Sequence, residues 1–305
     1  MNKLSRREFV KVGALGSAAL AAAPHLAQAK TTPKTDVWIF KGEDPRALMA
    51  ACMETLFANG GFGPDVKKLG FKPNAPWSRL PEQGVCTHPD LIDVFLEQTI
   101  ASGITDIVIP ERVKRDDAMA FERNGIGPIL KKHKQKITPT KAKSSNFTTV
   151  EIPDAQSLKT VEVCSELLAC DATVNMPVAK HHGGATFTAT MKNWMGVIKN
   201  PRWWHQNNLH QCIADFSLAL KPTWSIVDAT RCMTKKGPVG PSDFDPSIMI
   251  YPNEVILSRD PVAADAIATR HFHKSPHEVK YLSIAQEMGI GVIEQANMNI
   301  HEIEV

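Results

Sequence analysis

The sequence predicts an α/β protein, a mostly parallel sheet covered by helices on both faces. Three observations predict it. Apolar runs of strand length alternate with helical segments along the chain. The helices open at clear caps, such as Asp44-Pro45 and Asp260-Pro261. Runs such as Ile107-Val-Ile109 are continuously apolar, as strands buried on both faces are.

Taken in order, Asp36-Val-Trp-Ile-Phe-Lys41 reads as a first buried strand, and Asp44-Pro45 opens a helix that ends near Gly60-Gly61. An extended segment then ends at Phe71-Lys72-Pro73-Asn74. After a loop, Thr87-His88-Pro89-Asp90 has capping-box spacing, with Thr87 as cap and a helix running to about Gly103. Ile104 to Pro110 is the next strand. A polar stretch covers Arg112 to Phe147, a possible internal boundary near 112–147, with a helix from Asp116 to Arg123 stopped by Asn124-Gly125. Strands follow at Thr148 to Ile152, Thr160 to Val163 and Ala172 to Met176, with a short helix to Leu168 between the last two. A helix is predicted to start near Thr186, and Pro201 to Leu220 is largely helical. Ser225 to Asp228 and Val255 to Leu257 are strands, and Asp260-Pro261 caps a helix from Val262 to His271. The layers are thus Rossmann-like, and residues 30–305 read as one α/β domain.

The first 29 residues read differently. Ser5-Arg6-Arg7-Glu8-Phe9-Val10-Lys11 precedes an alanine-rich apolar run, Val12 to Ala23, and then Ala27-Gln28-Ala29. About a dozen apolar residues fall short of the roughly 20 that a membrane-spanning helix needs. The segment therefore reads as a signal peptide cleaved after Ala29, with no membrane span left afterwards. Its paired arginines resemble the signal of the twin-arginine route. The resemblance implies passage of the folded protein through the twin-arginine translocase, a periplasmic location and, often, a cofactor taken up beforehand.

Removing that segment changes the charge. It holds Lys3, Arg6, Arg7 and Lys11 against Glu8, and subtracting four bases from 35 and one acid from 32 leaves 31 of each. A neutral chain lacks the excess of positive charge that displaces counterions from nucleic acid, so nucleic-acid binding is excluded. The basic run Lys131-Lys132-His133-Lys134-Gln135-Lys136 reads as a solvated helix end. None of the six cysteines stands in a Cys-x-x-Cys pair, which speaks against an iron-sulfur cluster or a thiolate zinc site. A protein that folds before export keeps mostly buried free thiols, with Cys164 and Cys170 the pair to bridge if any does.

In a mostly parallel sheet, ligands sit beyond the carboxyl ends of the strands. Those positions hold Lys72 and Asn74, Glu111 and Arg112, Lys180 to Gly184, Asp228 to Arg231, and Arg259 with Asp260. The densest group is a strand stopped by Pro177, a loop with Gly183 and Gly184, and the predicted helix from Thr186. Free backbone N–H groups, a helix start and the charges of Lys180 and Lys192 make it receptive to an anion. The candidate catalytic residues are His182, Lys192 and His88, the last either a neutral proton carrier at a helix start or a simple cap. Lys72, Asn74, Lys180, Gly183, Gly184, Asn193 and Arg259 are candidates for holding a ligand. The pair His181-His182 reads as hydrogen-bonded structure or an acid/base group rather than a metal centre, so no metal ligands are assigned. Arg202-Trp203-Trp204 reads as core packing or as a stacking wall for a planar ligand. Asp260 is a cap first, and Asp265 one turn later is more open to a role in the site.

These residues lie in blocks that resemble a known family. The blocks are Phe71-Lys72-Pro73-Asn74, Thr87-His88-Pro89-Asp90, Asn175-Met-Pro-Val-Ala-Lys180 with His182, Thr188 to Val197, Ser258 to Ala266, and Leu282 to Gly291. In this order, over about residues 65 to 295, they resemble the family known as domain of unknown function 362. The resemblance implies an α/β fold. Many of those relatives carry an added ferredoxin-like module with four-cysteine motifs, and this chain has no such module. A fainter similarity is to lactate racemase, whose nickel-pincer nucleotide is held by a lysine downstream of a histidine. Here His182 and Lys192 are ten positions apart, although the run Thr188-Ala-Thr-Met191 lacks that family's paired glycines.

The sequence thus predicts an exported enzyme, of the oxidoreductase or isomerase class, acting on a small anionic substrate or with a phosphate-bearing or metal cofactor. The alternative is a non-catalytic periplasmic cofactor carrier, or an accessory to a redox partner protein.

Overall fold

The apolar run after Lys34 extends as strand β1 (Thr35–Lys41), and the Asp44 carboxylate accepts the Arg46 N–H at 2.9 Å to start helix α1 (Pro45–Ala58). Proline in the first turn costs nothing there, because its missing N–H would have no partner in the helix. The computed structural model describes residues 34–112, 117–140 and 146–305. The predicted signal and its cleavage point lie outside them. Pro33–Val305 is one compact unit. No helix among the described residues is long and apolar enough to cross a membrane.

The chain continues through β2 (Lys68–Pro73), α2 (Pro89–Ala101), β3 (Asp106–Glu111), α3 (Asp117–Arg123), α4 (Ile126–Lys132) and β4 (Ile137–Pro139). Then come the β5 (Phe147–Glu151) and β6 (Thr160–Cys164) hairpin, α5 (Ser165–Leu168), β7 (Ala172–Met176), β8 (Lys180–His182), β9 (Thr186–Thr188) and α6 (Thr190–Asn193). The rest is α7 (Pro201–Gln206), α8 (Leu209–Ala219), β10 (Trp224–Ala229), a two-residue ladder of β11 (Cys232–Met233) with β12 (Met249–Ile250), β13 (Glu254–Ser258), α9 (Pro261–Ala268), α10 (Lys280–Glu287) and β14 (Met298–Glu304).

Eight strands form one sheet in the order β14-β1-β13-β10-β7-β2-β3-β4. The run from β10 to β4 is parallel, and β14 is parallel to β1. Only β13 is reversed, antiparallel to both β1 and β10. Side chains alternate across a strand, so each face takes its own set. Ile256 joins Val37, Ile39 and Val227 under α6, α8, α9 and α10, while Val255 and Leu257 join Phe40, Phe71 and Val174 under α1 and α2. The predicted mostly parallel sheet with helices on both faces is therefore the fold of the chain.

Four local expectations are corrected, and the expected free thiols are found. No helix starts at Thr186: Lys180 to Thr188 is a β-hairpin, β8 with β9, with Gly183 and Gly184 at its turn, and Thr186 itself has φ 66°. Thr87 does not cap α2. His88 does, because Thr87 spends its hydroxyl on Met176 O at 2.7 Å and on the Asn74 N–H at 2.9 Å, tying β2 to β7 instead. The polar stretch after Arg112 contains α4 and the edge strand β4, since Ile126 and Leu130 find an apolar bed against α2. α9 stops at Ala268 and a 3-10 turn carries the chain through His271. All six cysteines are free, Cys164 and Cys170 included.

Candidate functional site

The parallel strands deliver polar residues to one rim. β2 carries Lys72 just before its end at Pro73 and leads to Asn74; β3 ends at Glu111, followed by Arg112; β7 carries Asn175 and leads into Lys180 and His182 on β8. α6 brings Lys192 and Asn193 over this rim, and α7 adds Arg202 and His205. Together they surround a cavity of about 430 Å3, lined by Asn74, Glu111, Lys180, His182, Lys192 and Asn193, with Arg112, Arg202 and His205 beside them and Trp77 and Met195 among the apolar lining. That volume is within the range of small-molecule sites.

Lys72 is fully buried. Its ammonium donates to Glu111 Oε2 at 2.8 Å, to Pro73 O, and weakly to Asn193 Oδ1 at 3.5 Å. Burial lowers the Lys72 pKa against the pull of Glu111. Glu111 also accepts the N–H groups of Ala75 and Arg112, each at 2.8 Å, so backbone donors as well as Lys72 satisfy its buried carboxyl oxygens. Gly196 makes the arrangement possible: a Cβ there would stand 2.7 Å from Glu111 Oε1 and from Lys72 Cε.

A line of amides joins Lys180 to Lys72. Lys180 Nζ donates to Asn74 Oδ1 at 2.7 Å and to Val85 O, and Asn74 Nδ2 donates to Asn193 Oδ1 at 2.9 Å. Asn193 Nδ2 donates to Asn175 Oδ1 at 2.7 Å and to Lys72 O at 3.1 Å, and Asn175 Nδ2 to Thr190 O at 2.9 Å. Each amide's orientation follows from its partners. Burial brings the Lys180 pKa down to about 8.

α6 is only four residues long and has no side-chain cap of its own. Asp265 of α9 supplies one from a distance, accepting Thr190 N–H at 2.6 Å and Met191 N–H at 3.1 Å. The carboxylate is fully buried, which raises its pKa to about 7.

His182 Nδ1 accepts the N–H groups of Gly184 at 3.0 Å and Ala185 at 3.1 Å, which fixes the Nε2–H tautomer. Its ring stacks on His205 with centroids 5.8 Å apart. Burial, with Lys192 next in strength, brings its pKa down to about 2.

Of the residues that sequence reasoning selects, Asn74, Lys180, His182, Lys192 and Asn193 line the cavity, and Lys72 stands behind them. Gly183 and Gly184 are exposed at the hairpin turn and do not line it. His88 does not line it either. Its Nδ1 accepts Asp90 N–H at 3.2 Å, its own N–H goes to Asp228 Oδ2 at 2.8 Å, and burial beside Arg231 brings its pKa down to about 4. Asp228 and Arg231, paired at 3.0 Å, tie down the loop before α2: Arg231 also donates to Pro81 O and Cys86 O. Arg259 lies elsewhere, stacked 3.9 Å over the Trp224 ring and donating to Asn59 O at 2.8 Å. It follows a strand, but β13 is reversed, so its carboxyl end lies beside the start of β10.

Sequence reasoning names Glu111 and Arg112 as strand-end positions without choosing them, and does not choose Asn175 or His205 at all. A carboxylate ending one strand beside a lysine ending its neighbour is the signal that could have found Glu111. A second cavity, of about 490 Å3, lies between β6 and α7. Its ionisable residues are spoken for, Glu162 by Lys199 at 2.6 Å and Lys159 by Pro153 O at 3.3 Å and Ala155 O.

No curated protein matches the chain. Among solved structures it is similar to the lactate racemase apoprotein from Thermoanaerobacterium thermosaccharolyticum, at 11% identity and a TM-score of 0.45 over 73% of this chain. The match spans 54% of that protein, so the chain covers about half its length. The family model described as Domain of unknown function (DUF362) matches residues 70–270, which include Lys72, Lys180, the hairpin, α6 and Asp265. With two thirds of its length inside that match, the chain belongs to the DUF362 family.

Proposed function

We propose that the chain is an exported enzyme that holds a small anionic substrate, or the phosphate of a cofactor, in the cavity at the sheet rim. One observation carries the reading. Lys180, Lys192, Arg112 and Arg202 line the cavity, and the single carboxylate among its lining residues, Glu111, is already matched by Lys72. Basic side chains that outnumber carboxylates in the lining of a partly enclosed space attract negative charge, and do so more strongly than at an open surface. Arg202 offers the forked donors that suit carboxylate and phosphate; Arg112, whose Nη1 donates to Ile198 O at 3.3 Å and Lys199 O at 2.7 Å, adds charge, as do Lys180 and Lys192. His182 contributes an N–H donor of fixed direction.

The test is the thermal midpoint of the chain from Lys30 onward against a panel of small carboxylates and phosphate monoesters, each paired with its neutral amide or alcohol. Ligands that bind only the folded state raise the midpoint by mass action. The reading predicts that members of the anionic set raise it and their neutral partners do not. A panel in which no anion acts, or in which neutral partners act equally, contradicts it.

A further inference from the structure

Accepting the anion-binding reading leaves open which group moves a proton once the ligand is bound. His182 and His88 are poorly placed for it. His182 uses the lone pair of Nδ1 on two backbone N–H groups, so in its neutral form it shows the cavity only an N–H, and a second proton on the ring would point at two donors. His88 uses its Nδ1 on Asp90 N–H and does not line the cavity. Glu111 is held by Lys72 and by two backbone donors.

Among the buried lysines, Lys72 and Lys180 differ in how many acceptors they have. An ammonium has three N–H groups. Lys72 has three acceptors, Pro73 O, Glu111 and Asn193, and is absent from the cavity lining. Lys180 has two, Asn74 Oδ1 and Val85 O, and does line the cavity. As a neutral amine it has two N–H groups for those two acceptors and one lone pair left over. As an ammonium it has one N–H left over.

We infer that Lys180, rather than either histidine, is the catalytic acid/base of the cavity, an amine that takes a proton from a bound anionic substrate and returns it. In the forward step the nitrogen lone pair forms the new N–H bond and the substrate's C–H or O–H bond breaks. The electron pair stays on the substrate, next to the ammonium just formed and the cations already there. No other reactant is needed. Around Lys180 stand Lys72 on β2, Glu111 on β3, Cys86 before α2 and Arg231 after β10, with His182 on its own strand. Burial is the largest influence and brings the amine near neutrality, Cys86 and Glu111 acting the other way and Lys72 and Arg231 reinforcing it. Burial pushes the Cys86 thiol up in turn.

Two measurements test this. In the ligand-free chain, the 15N signal of Lys180 Nζ followed against pH should titrate near 8, apart from the surface lysines. Titration at 10 or above overturns the inference. Sulfate, which does not titrate in this range, is then bound calorimetrically near pH 8.5 in buffers of different ionisation enthalpy. The wild type should take up a large fraction of a proton per sulfate, and K180R, always charged, should lose it. Uptake that is absent in the wild type or persists in K180R overturns the inference. If sulfate does not bind at all, the anion reading fails, and the Nζ titration still decides whether Lys180 is a base at neutral pH.

Discussion

At Lys72 three acceptors converge on one ammonium sealed from solvent, and the arrangement holds only while Glu111 answers the charge. Replacing Lys72 by Met leaves a buried carboxylate without its counter-charge, and such a loss costs about 3–5 kcal/mol. K72M should therefore unfold at markedly lower urea with an unchanged denaturant slope, and the double change K72M/E111Q should recover much of the loss. Lys72, Asn74, Lys180, Lys192 and Asn193 were legible because strand ends and a polar block in the sequence mark them. Their partnerships were not, since Lys72 meets Glu111 across 39 positions and Asn193 across 121, distances at which sequence carries no pairing signal. His182 was legible as a site residue, but its tautomer was hidden because it depends on the turn that follows.

At the level of elements, α6 is too short to be stable alone and depends on Asp265 in α9. Asp265→Ala leaves two buried N–H groups unpaired, at about 1–3 kcal/mol for such a loss. Lys192 and Asn193 lie within the turn it anchors, so sulfate affinity should fall with stability, and D265N, which keeps one acceptor, should restore part of both. Equal sulfate affinity in a folded D265A protein would show that the cap does not position the site. The strand-helix alternation and most caps were legible from composition and spacing. The Gly183-Gly184 hairpin was not, because a glycine pair before Thr186 serves a turn as readily as a helix start, and the β-branched alternation Thr186-Phe-Thr188 decides for strand. The direction of β13 was equally hidden: Asp260-Pro261 caps a helix in the same way whichever way the strand before it runs.

For the whole molecule, buried titratable groups set how stability follows pH. His182 and His88 are lowered from 6.5 to about 2 and about 4, so between those values and 6.5 the unfolded chain holds protons that the folded chain refuses. Their contribution is present above 6.5 and is lost as pH falls through that window. Asp265 is raised from 3.8 to about 7 and works in reverse, the folded chain holding a proton that the unfolded chain has released. Near pH 5 the three groups together take up about one proton on unfolding, a slope of about 1.4 kcal/mol per pH unit. H182Q should remove about one proton from that uptake, as read from urea midpoints between about pH 4.5 and 6. The parallel part of the sheet, legible from the sequence, is what gathers β2, β3, β7 and the hairpin at one rim, and the cavity follows from it.

The sharpest test of that rim is the calorimetric affinity for sulfate of the wild type, Lys192→Ala and Arg259→Ala. A charge-assisted bond lost from a buried site is worth about 1.5–3 kcal/mol, roughly 10- to 150-fold in affinity. K192A should weaken binding by that order, while R259A, which loses a stacking contact worth about 0.5–2 kcal/mol, should unfold more easily and bind sulfate as the wild type does. Unchanged affinity in K192A, or an equal loss in R259A, would contradict an anion site at the carboxyl ends of the parallel strands.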